Sequence, residues 1–141
     1  MKYIIYISTA SIYFEPETLE AMLLDFRKKN KASQITGMML FNRGKFLQVL
    51  EGNDKEMDTL VKKIKKDKRH HSIIQLGSAP IQERIFKNWS MGFKIASDDE
   101  FKSVSGYVNP IDPEHILMNT HNGFHPAVSL LKNFAETISA Y

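Results

Sequence analysis

Ile35-Thr36-Gly37-Met38-Met39-Leu40-Phe41-Asn42-Arg43-Gly44-Lys45-Phe46-Leu47-Gln48-Val49-Leu50-Glu51-Gly52 reads as two strands joined by a short turn at Asn42, Arg43 and Gly44, because apolar runs rich in β-formers flank turn residues. On the second strand Phe46, Gln48 and Leu50 share one face, while Leu47 and Val49 share the other. Both faces are therefore expected to be covered. An amide between two large apolar neighbours is costly unless its oxygen and nitrogen are hydrogen-bonded, so Gln48 needs partners elsewhere in the chain or in a ligand.

Upstream, residues 2–8 alternate Ile4, Tyr6 and Ser8 against Tyr3, Ile5 and Ile7, the pattern of a central strand covered on both sides. Pro16 then favours a first helical turn, and Leu19, Met22, Leu23 and Phe26 recur at helical spacing. Asn30 continues that stripe. Downstream of Gly52, Asn53 and Glu56 have capping-box spacing, and Met57, Leu60, Val61 and Ile64 form a second apolar stripe, with Asp67 three residues on. Ser72 to Ala79 reads as a fourth strand ended by Pro80, and Trp89, Met91 and Phe93 alternate as in a fifth.

The order is the split β-α-β-β-α-β pattern of an α+β, ferredoxin-like sheet with an added fifth strand. In that layout the first and third strands are expected as parallel neighbours in the middle, with both helices on one face. Tyr6 then lies beside Gln48. With Asn30 and Asp67 they would form a polar cluster between sheet and helices, as in a ligand-orienting site. Beyond residue 95, segments 98–107, 113–119 and 125–139 read as helices, the last with the stripe Leu130, Leu131, Phe134 and Ile138, expected to cover the opposite face. Residues 1–95 form the core in this reading, and 96–141 a C-terminal helical extension of the same domain.

A chain of 141 residues suits one domain. It has no cysteine, which excludes disulfides, thiolate metal sites and cysteine nucleophiles. The N-terminal apolar run is too short for a signal peptide, and no segment approaches the roughly 18 apolar residues of a membrane span, so a soluble cytoplasmic protein with no membrane partner is expected. The net charge of +3 is concentrated in Lys62-Lys63-Ile64-Lys65-Lys66-Asp67-Lys68-Arg69-His70-His71. Cations there complement a helix dipole, and a solvated helix end is preferred over a nucleic-acid patch. There is no phosphate-cradling glycine loop, GxSxG elbow or HExxH helix. His121 and His125 have helical metal-ligand spacing, but Gly123 and Pro126 break such a helix, so no metal is expected.

Tyr6-Ile7-Ser8, Asn30 followed by Ile35-Thr36-Gly37, Phe46-Leu47-Gln48-Val49-Leu50-Glu51-Gly52, Asp67-Lys68-Arg69-His70 and Trp89-Ser90-Met91 occur in the order and at the spacings of the BLUF domains, the sensors of blue light using FAD. The resemblance covers residues 2 to about 95. It implies a flavin between the two helices with its ring over the sheet, FAD by preference, with FMN or riboflavin as substitutes. Asn30 matches the residue that bonds the ring's polar edge, Gln48 the switch glutamine, and Tyr6 the electron and proton donor. Trp89 and Met91 match the pair that relays the signal. Lys63 and Asp67 match contacts to the flavin's polar tail, and His70 follows in the same motif. Lys29 and Ile35 complete the implied cofactor-binding set, Lys29 standing where relatives often carry His or Asn against the ring.

The resemblance therefore implies a blue-light photoreceptor, not an enzyme, that signals through a light-driven change in the Tyr6–Gln48–flavin hydrogen bonds. The residues after 95 are too few for a cyclase or phosphodiesterase unit. Output is expected through an unidentified partner protein or a change of homo-oligomeric assembly. Two alternatives are a light-independent regulatory binding module, which would be colourless, and a flavin-dependent redox enzyme. Against the latter stand the absence of a second nucleotide motif and the scant room for a substrate beside a wedged ring.

Overall fold

The computed structural model describes residues 1–87 and 90–105, with side chains through residue 102. Its centre is the hairpin that the opening stretch predicts. Strand β2, Thr36–Asn42, and strand β3, Lys45–Gly52, pair antiparallel from Thr36 opposite Glu51 to Asn42 opposite Lys45. The turn is therefore the two residues Arg43 and Gly44, with φ of 45° and 79°. Positive φ at both positions matches the right-handed twist of the strands, and the glycine meets it without steric cost.

Strand β1, Lys2–Ala10, is followed by helix α1, Pro16–Ala32, and the hairpin by helix α2, Asp54–Lys66. Pro16 opens α1 with its fixed φ. Asn53 is the N-cap of α2, but its side chain makes no capping bond, so the box spacing with Glu56 is not used that way. Strand β4, His70–Pro80, strand β5, Gly92–Ile95, and helix α3, Asp98–Ser105, complete the described elements.

The sheet order is β4-β1-β3-β2-β5. One expectation needs correcting: β1 and β3 are antiparallel, not parallel, neighbours. The α1 crossover makes β1 and β2 run the same way with a one-strand gap between them. Returning from the hairpin, β3 fills that gap antiparallel to both. The pairing still sets Tyr6 opposite Gln48. β4 starts two residues earlier than expected, and its register against β1 shifts between Ile7 and Thr9. β5 pairs parallel with β2 and begins at Gly92, so Met91 immediately precedes it. Trp89, the segments 113–119 and 125–139, and His121 and His125 lie outside the described residues.

Two cores sit on the two faces of the sheet. Ile4, Tyr6, Phe46 and Leu50 pack with Leu19, Met22 and Leu23 of α1 and Met57 of α2. Tyr3, Ile5, Leu47 and Val49 pack on the far face with Ile81, Phe86, Ala96 and Phe101. α3 thus covers part of the far face through Phe101.

Candidate functional site

The alternation along β3 aims Gln48 between the helices, where α1 and α2 stand apart enough to leave a cleft of about 790 Å³, open solvent at its mouth included. Its walls are largely apolar, with Phe14, Met22, Phe26, Met39, Phe46 and Leu60 among them. The polar groups are few and placed at its floor and mouth. Of the residues singled out in the sequence, Tyr6, Lys29, Asn30, Gln48, Lys63, Asp67, His70 and Met91 all line it. Ile35 packs in the core below it, against the position a Cβ on Gly52 would take.

On the floor, the Tyr6 hydroxyl donates to Gln48 Oε1. Gln48, only 4% exposed, turns its Nε2 toward Met91 Sδ at 3.5 Å, a weak acceptor. Asn30, 5% exposed, comes from the last turn of α1 and donates from Nδ2 to the Ser90 carbonyl at 2.7 Å. Among the described residues no group donates to Asn30 Oδ1, and Gln48 finds no oxygen acceptor for Nε2. Burial raises the Tyr6 pKa well above the ordinary phenol value, and the negative charge of Asp67 adds to it, so the hydroxyl stays protonated and a donor.

At the mouth, Asp67 and Arg69 form a two-pronged pair, with Nε to Oδ1 at 2.9 Å and Nη2 to Oδ2 at 2.5 Å. The hydrogen bonds from the Arg69 side chain hold the Asp67 carboxyl below its usual range. The guanidinium also lies 5.0 Å over the Phe26 ring, which ties α1 to the end of α2. His70 bridges α2 and β1, its Nε2 2.7 Å from the Ile64 carbonyl and its Nδ1 2.9 Å from Ser8 Oγ. Its ring meets the Tyr6 ring edge-on at 6.4 Å.

Three contributors had weaker signals. Ser8 shares the Tyr6 face of β1 by simple alternation, so period two was its signal. Arg69 lay inside a quoted motif without a role. Arg27 donates from Nε to the Met91 carbonyl at 3.0 Å. Its only mark in the sequence is that it stands one turn before Asn30, on the same side of the helix.

A flavin fits this donor set. A flat aromatic system needs apolar walls, its carbonyl and ring-nitrogen edge needs amide partners such as Asn30 and Gln48, and an anionic tail needs cations such as Lys29 and Lys63 at the mouth.

The family described as BLUF, sensors of blue-light using FAD, matches residues 1–92. Photoactivated adenylate cyclase subunit beta of Euglena longa is 36% identical over 87 residues, 61% of this chain and 10% of that protein. The blue light- and temperature-regulated antirepressor BluF of Escherichia coli K12 is 34% identical over 58 residues, 41% of this chain and 14% of that protein. The matched stretch is thus a small part of each relative's length. A bacterial light-regulated adenylyl cyclase superposes with a TM-score of 0.67 at 30% identity, over 84% of this chain and 36% of that one. The dark-state structure of BlrB, a BLUF protein, shares the fold over 97% of this chain and 96% of its own, with a TM-score of 0.71 at 23% identity. No helix among the described residues is long and apolar enough to cross a membrane. The fold, the cleft with its two buried amides and the match over residues 1–92 place this chain in the BLUF family, the flavin-binding sensors of blue light that use FAD.

Proposed function

We propose that this protein converts blue light into a rearrangement of the contacts among Tyr6, Gln48 and Met91, and passes that change to a partner protein. A flavin bound in the cleft would supply a blue-absorbing ring able, when excited, to take an electron from a nearby phenol and then return it, so that neither is changed in oxidation state at the end. Tyr6 is the phenol in reach of the cleft, and its hydroxyl proton already points at Gln48 Oε1. Gln48 is the element with two arrangements. In one, its oxygen accepts from Tyr6 and its amino group faces Met91. Rotation or tautomerisation exchanges the acceptor and donor ends, leaving Tyr6 to rotate its own hydrogen. Each arrangement must satisfy the buried amide, because an unpaired polar atom there costs about 1–3 kcal/mol.

The other residues hold the cofactor or the floor. Asn30 Oδ1 would accept from the ring's polar edge, and Lys29 and Lys63, which line the cleft, would offer cations to the cofactor. Asp67 and His70 fix the end of α2, and Ile35 supports the floor from below. Met91 relays the change, with Trp89 two residues before it. Residues 1–95 form the light-sensing core and 96–141 an extension of it. The chain acts in the cytoplasm without catalysis of its own, through a partner protein or a change in its homo-oligomeric assembly.

The observation that carries this reading is a buried glutamine whose oxygen is taken by a tyrosine and whose nitrogen, among the described residues, faces only a thioether. The test is the absorption spectrum of the purified protein before and after blue light, repeated with Tyr6→Phe and Gln48→Leu. The wild type should be yellow and show a small red shift without net reduction, and both variants should lose the shift. A colourless preparation that refuses added FAD, or a red shift surviving both substitutions, overturns the reading.

A further inference from the structure

Three residues beyond Gln48, on the opposite face of β3, lies a second buried polar group that the light reaction does not use. Glu51 is 0% exposed. Its Oε2 accepts from the Ile85 backbone N–H at 2.9 Å, and its Oε1 from the Phe86 N–H at 2.6 Å and the Thr36 hydroxyl at 2.8 Å. Arg84 closes the knot, donating to Thr36 Oγ1 at 3.0 Å, to the Glu51 carbonyl at 3.2 Å and to the Gln34 carbonyl at 2.5 Å.

These bonds hold the segment between β4 and β5 at one end. At the other, Arg27 and Asn30 hold the carbonyls of Met91 and Ser90. Phe86 belongs to the far-face core and Met91 to the cleft-face core, so the two held ends lie on opposite faces of the sheet.

We propose that Glu51 is a positioning residue for signal output. It fixes Phe86 so that a displacement of Met91 is delivered to the far face, where Phe101 of α3 packs. This role rests on the light-sensing reading above.

Glu51→Gln is the discriminating variant. Both carboxylate oxygens accept backbone N–H groups, so whichever way the amide is turned, its NH2 end meets a donor. The flavin red shift should be retained, because it reports Tyr6 and Gln48, which Glu51 does not touch. In the dark, amide exchange at Ile85 and Phe86 should rise by about tenfold or more, and the light-induced change in exchange across residues 92–105 should fall below about half of its wild-type size. A variant with the wild-type light response in 92–105 overturns the role. If Glu51→Gln does not fold, Thr36→Val removes one donor at nearly constant shape and should weaken the response in the same direction; an unchanged response again overturns it. A wild type without any red shift would instead bring down the light-sensing reading itself.

Discussion

Tyr6 must stay protonated to act as a donor, and its surroundings ensure that it does. It is removed from water on the floor of the cleft, and the Asp67 carboxylate adds a repulsive term against the phenolate, so its pKa in the folded protein lies above the ordinary value of 10.0. The sign of the consequence follows by linkage. A group whose pKa is raised on folding contributes stability that is full below the unfolded value and is lost as pH rises toward the folded one. The stability advantage of wild type over Tyr6→Phe should therefore be constant at neutral pH and shrink between pH about 9 and about 11. Thermal melts of the two holoproteins across that range check this. A difference that stayed flat would mean that the phenol is more hydrated than the fold shows.

At the scale of elements, β3 organises the molecule because both of its faces are buried beyond Lys45 and each carries one buried polar group, Gln48 toward the helices and Glu51 away from them. Close packing of β2 on β3 is a condition for both. Gly37 lies opposite Leu50, and a Cβ there would run into the Val49 carbonyl oxygen. Backbone cannot swing aside as a side chain can, so Gly37→Ala should destabilise the fold by about 1–3 kcal/mol. Denaturant unfolding is the measurement, with a lower midpoint and an unchanged slope expected. The same strand shows what a sequence makes legible. Period-two alternation is local, so the faces of Gln48, Phe46 and Leu47 could be read directly, as could the turn, although Asn42, read as part of it, is the last residue of β2. The direction of β1 relative to β3 depends on which strand fills the gap left by a crossover, and the parallel expectation failed there. Glu51 was quoted only as part of a motif, because its backbone donors lie 34 and 35 positions away in a segment without periodicity. The start of β5 was misplaced for a related reason: alternation in Trp89, Met91 and Phe93 does not fix where a strand begins, and Met91 lies just before it.

For the whole molecule, the sheet separates the face that carries Tyr6 and Gln48 from the face that α3 partly covers. Tyr6, Asn30, Gln48 and Asp67 could be singled out because each is polar where the pattern calls for an apolar residue, whereas Lys29, Ile35, Lys63, His70 and Met91 were named through the resemblance alone. The far-face cover was legible only as a need for apolar partners. Phe101 meets part of that need, 6% exposed and packed with the cluster that includes Phe86 and Ala96. Truncating it removes dispersion contacts and leaves a cavity on the far face, so Phe101→Ala should cost about 3–5 kcal/mol. The cleft floor lies on the opposite side of the sheet, so the dark flavin spectrum and its red shift should be nearly unchanged. Stability and spectrum are thus expected to part company in this variant. Unfolding curves would read the first, and light-minus-dark absorption the second. A large change in the red shift would mean that the two faces are coupled already in the dark, with α3 acting on Gln48 and not only responding to it. A negligible loss of stability would mean that Phe101 is replaced in the core by other apolar groups when it is cut back.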